Sequence, residues 1–200
     1  MATKKAKGKA AKAPKATAKR TTKTAARPKA PAKAKVKPKA KRKVSAIPKG
    51  FRSLTPYLIV RGAADALGFY AKAFGARTTL NMTMPDGGVM HAEIKIGDSM
   101  LMISEENPDW GSKSPLTLGG SATHVMIYTK DVDAFVARAA AAGCSVEMPA
   151  ATMFWGDRYA KLKDPLGHQW SVGTHIEDVS PKECQRRAEA WSKQMSGSGN

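Results

Sequence analysis

The chain is expected to fold as an α+β protein of two β-α-β-β-β modules behind a disordered basic segment. Two stretches about 68 residues apart repeat each other: Asp65-Ala66-Leu67 running to Phe74-Gly75-Ala76, and Asp133-Ala134-Phe135 running to Ala142-Gly143-Cys144. In both, an apolar strand precedes an Asp-Ala helix start, ten residues lead from the Asp to a terminating Gly, and further β-like segments follow. Charge then divides the chain. Nineteen of its 34 Lys and Arg lie in residues 1–49, which hold no Asp or Glu, while the other 15 accompany all 16 acidic residues.

Residues 1–49 are mostly Lys, Ala, Pro and Thr, with no aromatic residue and only Val36, Val44 and Ile47 as larger aliphatics. Such a segment cannot bury a core, so it is expected to be disordered, and its five prolines favour extended stretches. A single domain of two modules is expected over 50–180, with modules at about 54–106 and 121–176, followed by a C-terminal helix and flexible end over 181–200.

Within the first module the strand Pro56-Tyr57-Leu58-Ile59-Val60 leads to a helix whose Leu67, Tyr70, Ala71 and Phe74 fall on one face, ended by Gly75. Strands are expected over 78–84, 89–96 and 99–104, with turns at Pro85-Asp86-Gly87-Gly88 and Gly97-Asp98. Residues 105–120, rich in Gly, Pro, Ser and Asn, read as a linker. The second module opens with the strand 123–128, and Asp131 can cap a helix carrying Val132, Phe135, Val136 and Ala139 to Gly143. Strands follow at 145–148, 155–162 and 168–174, the last after an Asp164-Pro165-Leu166-Gly167 turn. Ser180-Pro181-Lys182-Glu183 is a capping box opening a helix to about Lys193.

No apolar run is long enough for a membrane span or a secretory signal, and the basic segment is Lys- and Pro-rich rather than an Arg/Ser-rich amphipathic presequence. Cys144 and Cys184 stand far apart and in no C-x-x-C spacing, which argues against a disulfide framework and a cysteine zinc site. A reducing, cytoplasmic location fits these features.

The paired modules, Phe69-Tyr70-Ala71-Lys72-Ala73-Phe74-Gly75-Ala76, the His91-Ala92-Glu93 strand, Met153-Phe154-Trp155-Gly156-Asp157-Arg158-Tyr159, and Asp164-Pro165-Leu166-Gly167-His168-Gln169-Trp170-Ser171 resemble the vicinal oxygen chelate superfamily. This is the glyoxalase and bleomycin-resistance group, and the closest likeness is to its PhnB-like branch. The resemblance covers about residues 54–180. It implies a cup-shaped sheet around one small-molecule site, often in a homodimer, and in metal-dependent members a divalent ion held by one residue from the first and last strand of each module. Those positions correspond here to Thr55 and Met102, then His124 and Ser171, at a constant offset of 69. Only His124 is a usual ligand, and Met with two hydroxyls does not replace imidazoles and carboxylates, so no metal and no cofactor are expected.

Other side chains could equip the cup. His91 and Glu93 alternate onto one strand face, where they could position or deprotonate a substrate or form a solvated face. His124 among Val125, Met126 and Ile127 reads as a hydrogen-bonded inner histidine more readily than as a catalyst. Trp155, Asp157, Arg158 and Tyr159 form a dense cluster in which aromatics offer stacking surface and Arg158 could clamp an anion or pair with Asp. Tyr57, Met102 and Tyr128 complete the candidate ligand set, and the methionines 82, 84, 90, 100, 102, 126, 148 and 153 read mostly as core. His168 and Trp170 are expected on the helix side, and Cys144 as buried filler.

The basic segment carries separate chemistry. Its cations, with Lys4, Lys5, Lys19, Arg20, Lys41, Arg42 and Lys43 as representative contacts, suit a polyphosphate, bound without base specificity and with strong salt dependence. It resembles linker-histone tails and the Lys/Ala/Pro extensions of bacterial nucleoid proteins, and it also fits a solubility or localisation appendage. Three functional readings follow: a metal-poor small-molecule binder or enzyme tethered to nucleic acid, a nucleoid-associated protein whose domain is a passive or sensory module, and a metal-dependent lyase or dioxygenase.

Overall fold

In the computed structural model the described residues are 44–197, and the expectations for the basic segment, including its disorder and its phosphate contacts, lie almost wholly outside them. Module 1 contains β1 (Tyr57–Val60), α1 (Ala63–Phe74), β2 (Arg77–Thr83), β3 (Val89–Ile96) and β4 (Ser99–Glu105). A connection carrying a 3-10 turn at Pro108–Trp110 and the four-residue helix α2 (Pro115–Leu118) leads to module 2. This contains β5 (His124–Tyr128), α3 (Val132–Ala142), β6 (Ser145–Thr152), β7 (Asp157–Lys163) and β8 (Gln169–His175), and α4 (Pro181–Gly197) follows it.

The α+β class and the two β-α-β-β-β modules are as expected. Each module forms one mixed four-stranded sheet, ordered β1-β4-β3-β2 and β5-β8-β7-β6, in which the first and last strands pair in parallel. No strand of one sheet pairs with a strand of the other among the described residues. No helix among them is long and apolar enough to cross a membrane.

α4 runs beyond the expected Lys193 to Gly197, and three other boundaries differ from expectation for local reasons. The linker is not featureless, because Asn107 and Ser114 each accept a backbone N–H ahead of a proline and so start short helical turns. β6 runs on through Pro149 to Thr152, which an edge strand tolerates because one side of its backbone is unpaired. Trp155 lies in the Met153–Gly156 turn instead of opening β7.

The two helices are capped differently. Asp131 accepts from the Ala134 N–H at 2.9 Å, and Thr174 of β8 accepts from the Val132 N–H at 3.0 Å. At α1 the capping position is Gly62, which has no side chain, and Glu105 at the end of β4 supplies the acceptors. Its carboxylate takes the Gly62 and Ala63 N–H groups at 2.7 Å each, placing an anion where the helix dipole favours it. Glu105 and Thr174, 69 residues apart, occupy equivalent places at the end of the parallel pairing: Glu105 is the last β4 residue paired with β1, and Thr174 follows Gly173, the last β8 residue paired with β5.

The core lies between the sheets and their helices. Phe74 of α1 stacks on Phe135 of α3 with centroids 5.4 Å apart, and Trp170 of β8 meets Tyr70 and Phe74 edge-on. Within this apolar mass Asp164 is almost fully buried. It accepts from Tyr70 Oη (2.8 Å), Trp170 Nε1 (2.8 Å), and the N–H groups of Leu166 (3.0 Å) and His168 (2.9 Å). Burial and this neighbouring carboxylate hold the Tyr70 phenol well above its ordinary pKa.

Tyr70→Phe keeps the ring packing but removes one donor from the buried carboxylate, so it should lower unfolding free energy by about 2 kcal/mol. Asp164→Leu leaves all its donors unsatisfied and should cost more. Urea unfolding of both variants checks the order, and a Tyr70→Phe protein as stable as the parent contradicts it.

Candidate functional site

Strand alternation gives every sheet a face covered by its helix and an open face. In module 1 the open face carries Tyr57, His91, Glu93 and Met102, with Met102 opposite both Tyr57 and Glu93 in the register, and Met82 opposite His91. Tyr57 Oη lies 3.1 Å from His91 Nδ1, with the rings edge to face at 5.6 Å. His91 Nε2 stands 3.6 Å from Glu93 Oε1. The His91 and Glu93 side chains retain 22% and 20% exposure, so they are neither core nor freely solvated. With the phenol donating to Nδ1, Nε2 carries its proton toward the carboxylate, a Tyr-His-Glu chain able to accept or relay a proton.

In module 2 the open face carries His124, Met126 and Tyr128 of β5, Tyr159 of β7 and Ser171 of β8. Tyr159 Oη and Ser171 Oγ are 2.7 Å apart. The centre of the polar network is Asp157, buried and accepting from Tyr128 Oη at 3.0 Å, Trp155 Nε1 at 3.2 Å and His175 Nδ1 at 2.8 Å. His175 Nε2 reaches Asp178 at 3.0 Å. Its hydrogen bonds to Asp178 and Asp157 raise the His175 pKa, and the bond to Asp157 raises that of the Tyr128 phenol. At Gly173 an added Cβ would come within 2.7 Å of Met126 Cε, so the thioether lies directly over the strand.

The candidate set is therefore divided. Tyr57, His91, Glu93 and Met102 come together in module 1, and Tyr128 and Trp155 in module 2. His124 sits exposed at the head of β5, opposite Gln169. Arg158 is not an open-face clamp, because alternation turns it to the helix side. There Nε and Nη2 bind Asp133 of α3 at 2.6 and 2.7 Å, occupying the guanidinium fork. The methionines are not core either. Met82, Met84, Met90 and Met126 are exposed, and none of the eight is among the buried residues, since Met82, Met100, Met102 and Met126 share the strand faces opposite the helices. His168 and Trp170 do pack on the helix side, and Cys144 is buried, its thiol pushed up to about 12 by desolvation. His175 was not singled out from sequence, although it faces Asp157 in register and the alternation from Tyr159 points to it.

The positions matching a family metal site do not fit one. Thr55 donates to the Arg52 carbonyl, Met102 is a thioether between Tyr57 and Glu93, and Ser171 is engaged with Tyr159. Among the described residues no three His, Cys, Asp or Glu side chains converge as a cation site.

Because the folded pKa of His175 is raised, its contribution to stability is complete below the unfolded value of about 6.5 and is lost as pH rises through the folded value. His175→Gln should remove that decline. Melting temperatures of parent and variant across pH 5 to 9 should converge on the alkaline side, and parallel curves would exclude the assignment.

Comparison with known proteins bears on the same residues. A family model described as the Glyoxalase/Bleomycin resistance protein/Dioxygenase superfamily matches residues 52–172. An uncharacterized protein of Mycobacterium tuberculosis, Rv0887c, is 38% identical over 136 residues, covering 66% of this chain and 80% of the relative. Among solved structures, TioX from Micromonospora sp. ML1 has 25% identity and a TM-score of 0.50, covering 62% of this chain and 98% of TioX. A gene product of Arabidopsis thaliana has 26% identity and a TM-score of 0.51, with the same coverage of 62% and 98%. With the repeated modules and the extent of the family match, the chain belongs to the glyoxalase, bleomycin resistance protein and dioxygenase superfamily.

Proposed function

We propose that the domain is a metal-independent small-molecule binder of the bleomycin-resistance kind, which the basic segment tethers to nucleic acid in the cytoplasm, at the nucleoid. The observation that carries the reading is the composition of the open faces. Thioethers and aromatic rings dominate them, with a few fixed polar groups at Tyr57-His91-Glu93 and around Asp157. Such a surface adapts its shape to an apolar ligand and orients it through a small number of hydrogen bonds. The Tyr-His-Glu chain leaves room for proton-transfer chemistry on a bound molecule, without a metal ion at the positions where metal-dependent members of the superfamily hold one.

The open faces also favour a homodimer. Tyr57 is 50% exposed and Tyr128 64%, and β2 is exposed along its whole length. Pairing these faces with those of a second copy would bury the apolar surface and enclose the ligand between modules.

The charge partition favours nucleic-acid contact by the basic segment rather than the domain, whose own charges nearly balance.

A thermal-shift screen of the full chain against divalent metals and a library of apolar small molecules tests the binding reading. Stabilisation by an organic ligand, reduced by Tyr57→Phe and His91→Gln, is expected, because a ligand that binds only the folded state raises its stability. A large stabilisation by zinc, nickel, manganese or iron would contradict the metal-free reading. For the tether, duplex DNA binding should weaken steeply with salt and disappear when residues 1–43 are deleted; equal binding by the deleted chain would move the contact to the domain.

A further inference from the structure

A cleft of about 670 Å³ lies beside β5, lined by Thr55, Ile96, Ser99, Leu101, Tyr128 and Arg138 among others. Its origin is a break in the internal repeat. The parallel registers Tyr57↔Met102 and Met126↔Ser171 equate β1 with β5 and β4 with β8 at an offset of 69. The registers Glu93↔Met102 and Lys161↔Ser171 equate β3 with β7 at an offset of 68, which is also the spacing of Asp65 and Asp133 in the helices.

By these offsets the module junction contains two equivalent corners. At one, Tyr70, Asp164, His168 and Trp170 fill the space, and His168 Nε2 donates to the Ile59 carbonyl on the free edge of β1 at 3.2 Å. Burial lowers the pKa of this histidine, so it fills its corner as a neutral ring. At the other corner the counterparts are Arg138, Ile96, Ser99 and Leu101, and the counterpart of Ile59 is Tyr128. All five line the cleft. Smaller side chains thus replace an imidazole and an indole, and Ser99 turns its hydroxyl to Asp98 at 2.8 Å. The N–H of Thr129 bonds to Gly173, which leaves the Tyr128 backbone groups on the opposite, free edge of β5. No side chain among the described residues donates to that carbonyl.

The chemistry of the cleft is definite. Arg138 donates Nε to the Ala73 carbonyl at 3.0 Å and lies over the Phe135 ring, which fixes the guanidinium while its two terminal nitrogens have no other protein partner among the described residues. Arg52 brings a second cation, against the single carboxylate of Asp98. Tyr128, Leu54 and Met126 contribute exposed aromatic and apolar lining, backed by the buried rings of Phe74, Phe135 and Trp170, and the volume is that of an ordinary small-molecule site.

We propose that this cleft, at the free edge of β5 and apart from the Tyr57-His91-Glu93 chain, is a second ligand site that takes a small aromatic carboxylate. The carboxylate pairs with Arg138, supported by Arg52, the ring packs on Tyr128 beside Leu54 and Met126, and a donor on the ring reaches the free edge of β5. Guanidinium and carboxylate supply the polar recognition, and Tyr128 with the exposed apolar side chains beside it supplies the stacking surface.

The test uses the full-length chain labelled with nitrogen-15 and titrated with 4-hydroxyphenylacetate and with its uncharged amide. Saturable shifts of the Ser99, Met126 and Tyr128 amides are expected, with at least about tenfold weaker binding of the amide and a similar loss in Arg138→Met. Ser99→His restores the filled corner and should abolish binding; it also answers the question if Arg138→Met fails to fold. Unchanged binding by Ser99→His, equal affinity for acid and amide, shifts centred on His91 and Glu93, or no saturable shift at millimolar probe would each overturn the proposal. Sedimentation of Ser99→His identifies a competing occupant, since loss of self-association in that variant without effect on the probe would make the cleft an interface with a second copy.

Discussion

The buried carboxylate of Asp164 is the constraint on which the domain depends. It belongs to the last turn of module 2, yet one of its donors is Tyr70 on the helix of module 1. A charge in that position is costly unless its lone pairs are filled. Here two side-chain and two backbone donors fill them, and the two side-chain donors, Tyr70 and Trp170, are themselves packed against Phe74. The carboxylate thus specifies the turn before β8, the rotamer of Trp170 and the approach of α1. Apolar contact alone would allow the helices to slide; a four-donor acceptor allows one arrangement.

The internal repeat matters as much where it fails as where it holds. The modules keep their topology, their register and the placement of an oxygen acceptor at each helix start, supplied by Glu105 in one and Thr174 in the other. Their open faces have diverged. Module 1 carries an imidazole-centred chain and module 2 a carboxylate-centred network, so two faces of the same architecture present opposite hydrogen-bonding preferences. A molecule enclosed between two such faces would meet a base on one side and oriented phenols on the other.

Much of the fold was legible because its cues are local. Strand alternation, the helical stripe of Leu67, Tyr70 and Phe74, and the left-handed Gly75 and Gly143 all act within a few residues. The site was less legible because it is built from long-range partners. Alternation placed His91 and Glu93 on one face, but the contact of His91 with Tyr57 joins strands 34 residues apart in sequence. Arg158 shows the same parity read incompletely: as the neighbour of Tyr159 it had to face the helix, and only the fold reveals Asp133 waiting there. Spacing does not separate core methionines from those on an open face, because an apolar strand residue looks alike whether a helix covers it or leaves it open.

The borrowed cap of α1 has a consequence for the order of assembly. α3 carries its own Asp131 and is equipped to begin folding as soon as it is made. The acceptors for α1 come from Glu105, more than 40 residues downstream, so the Gly62 and Ala63 N–H groups lack their acceptor until β4 has left the ribosome and paired with β1. A short helix without its cap is marginal in water. The first module therefore closes as a unit, last strand onto first helix, while the second has a start of its own.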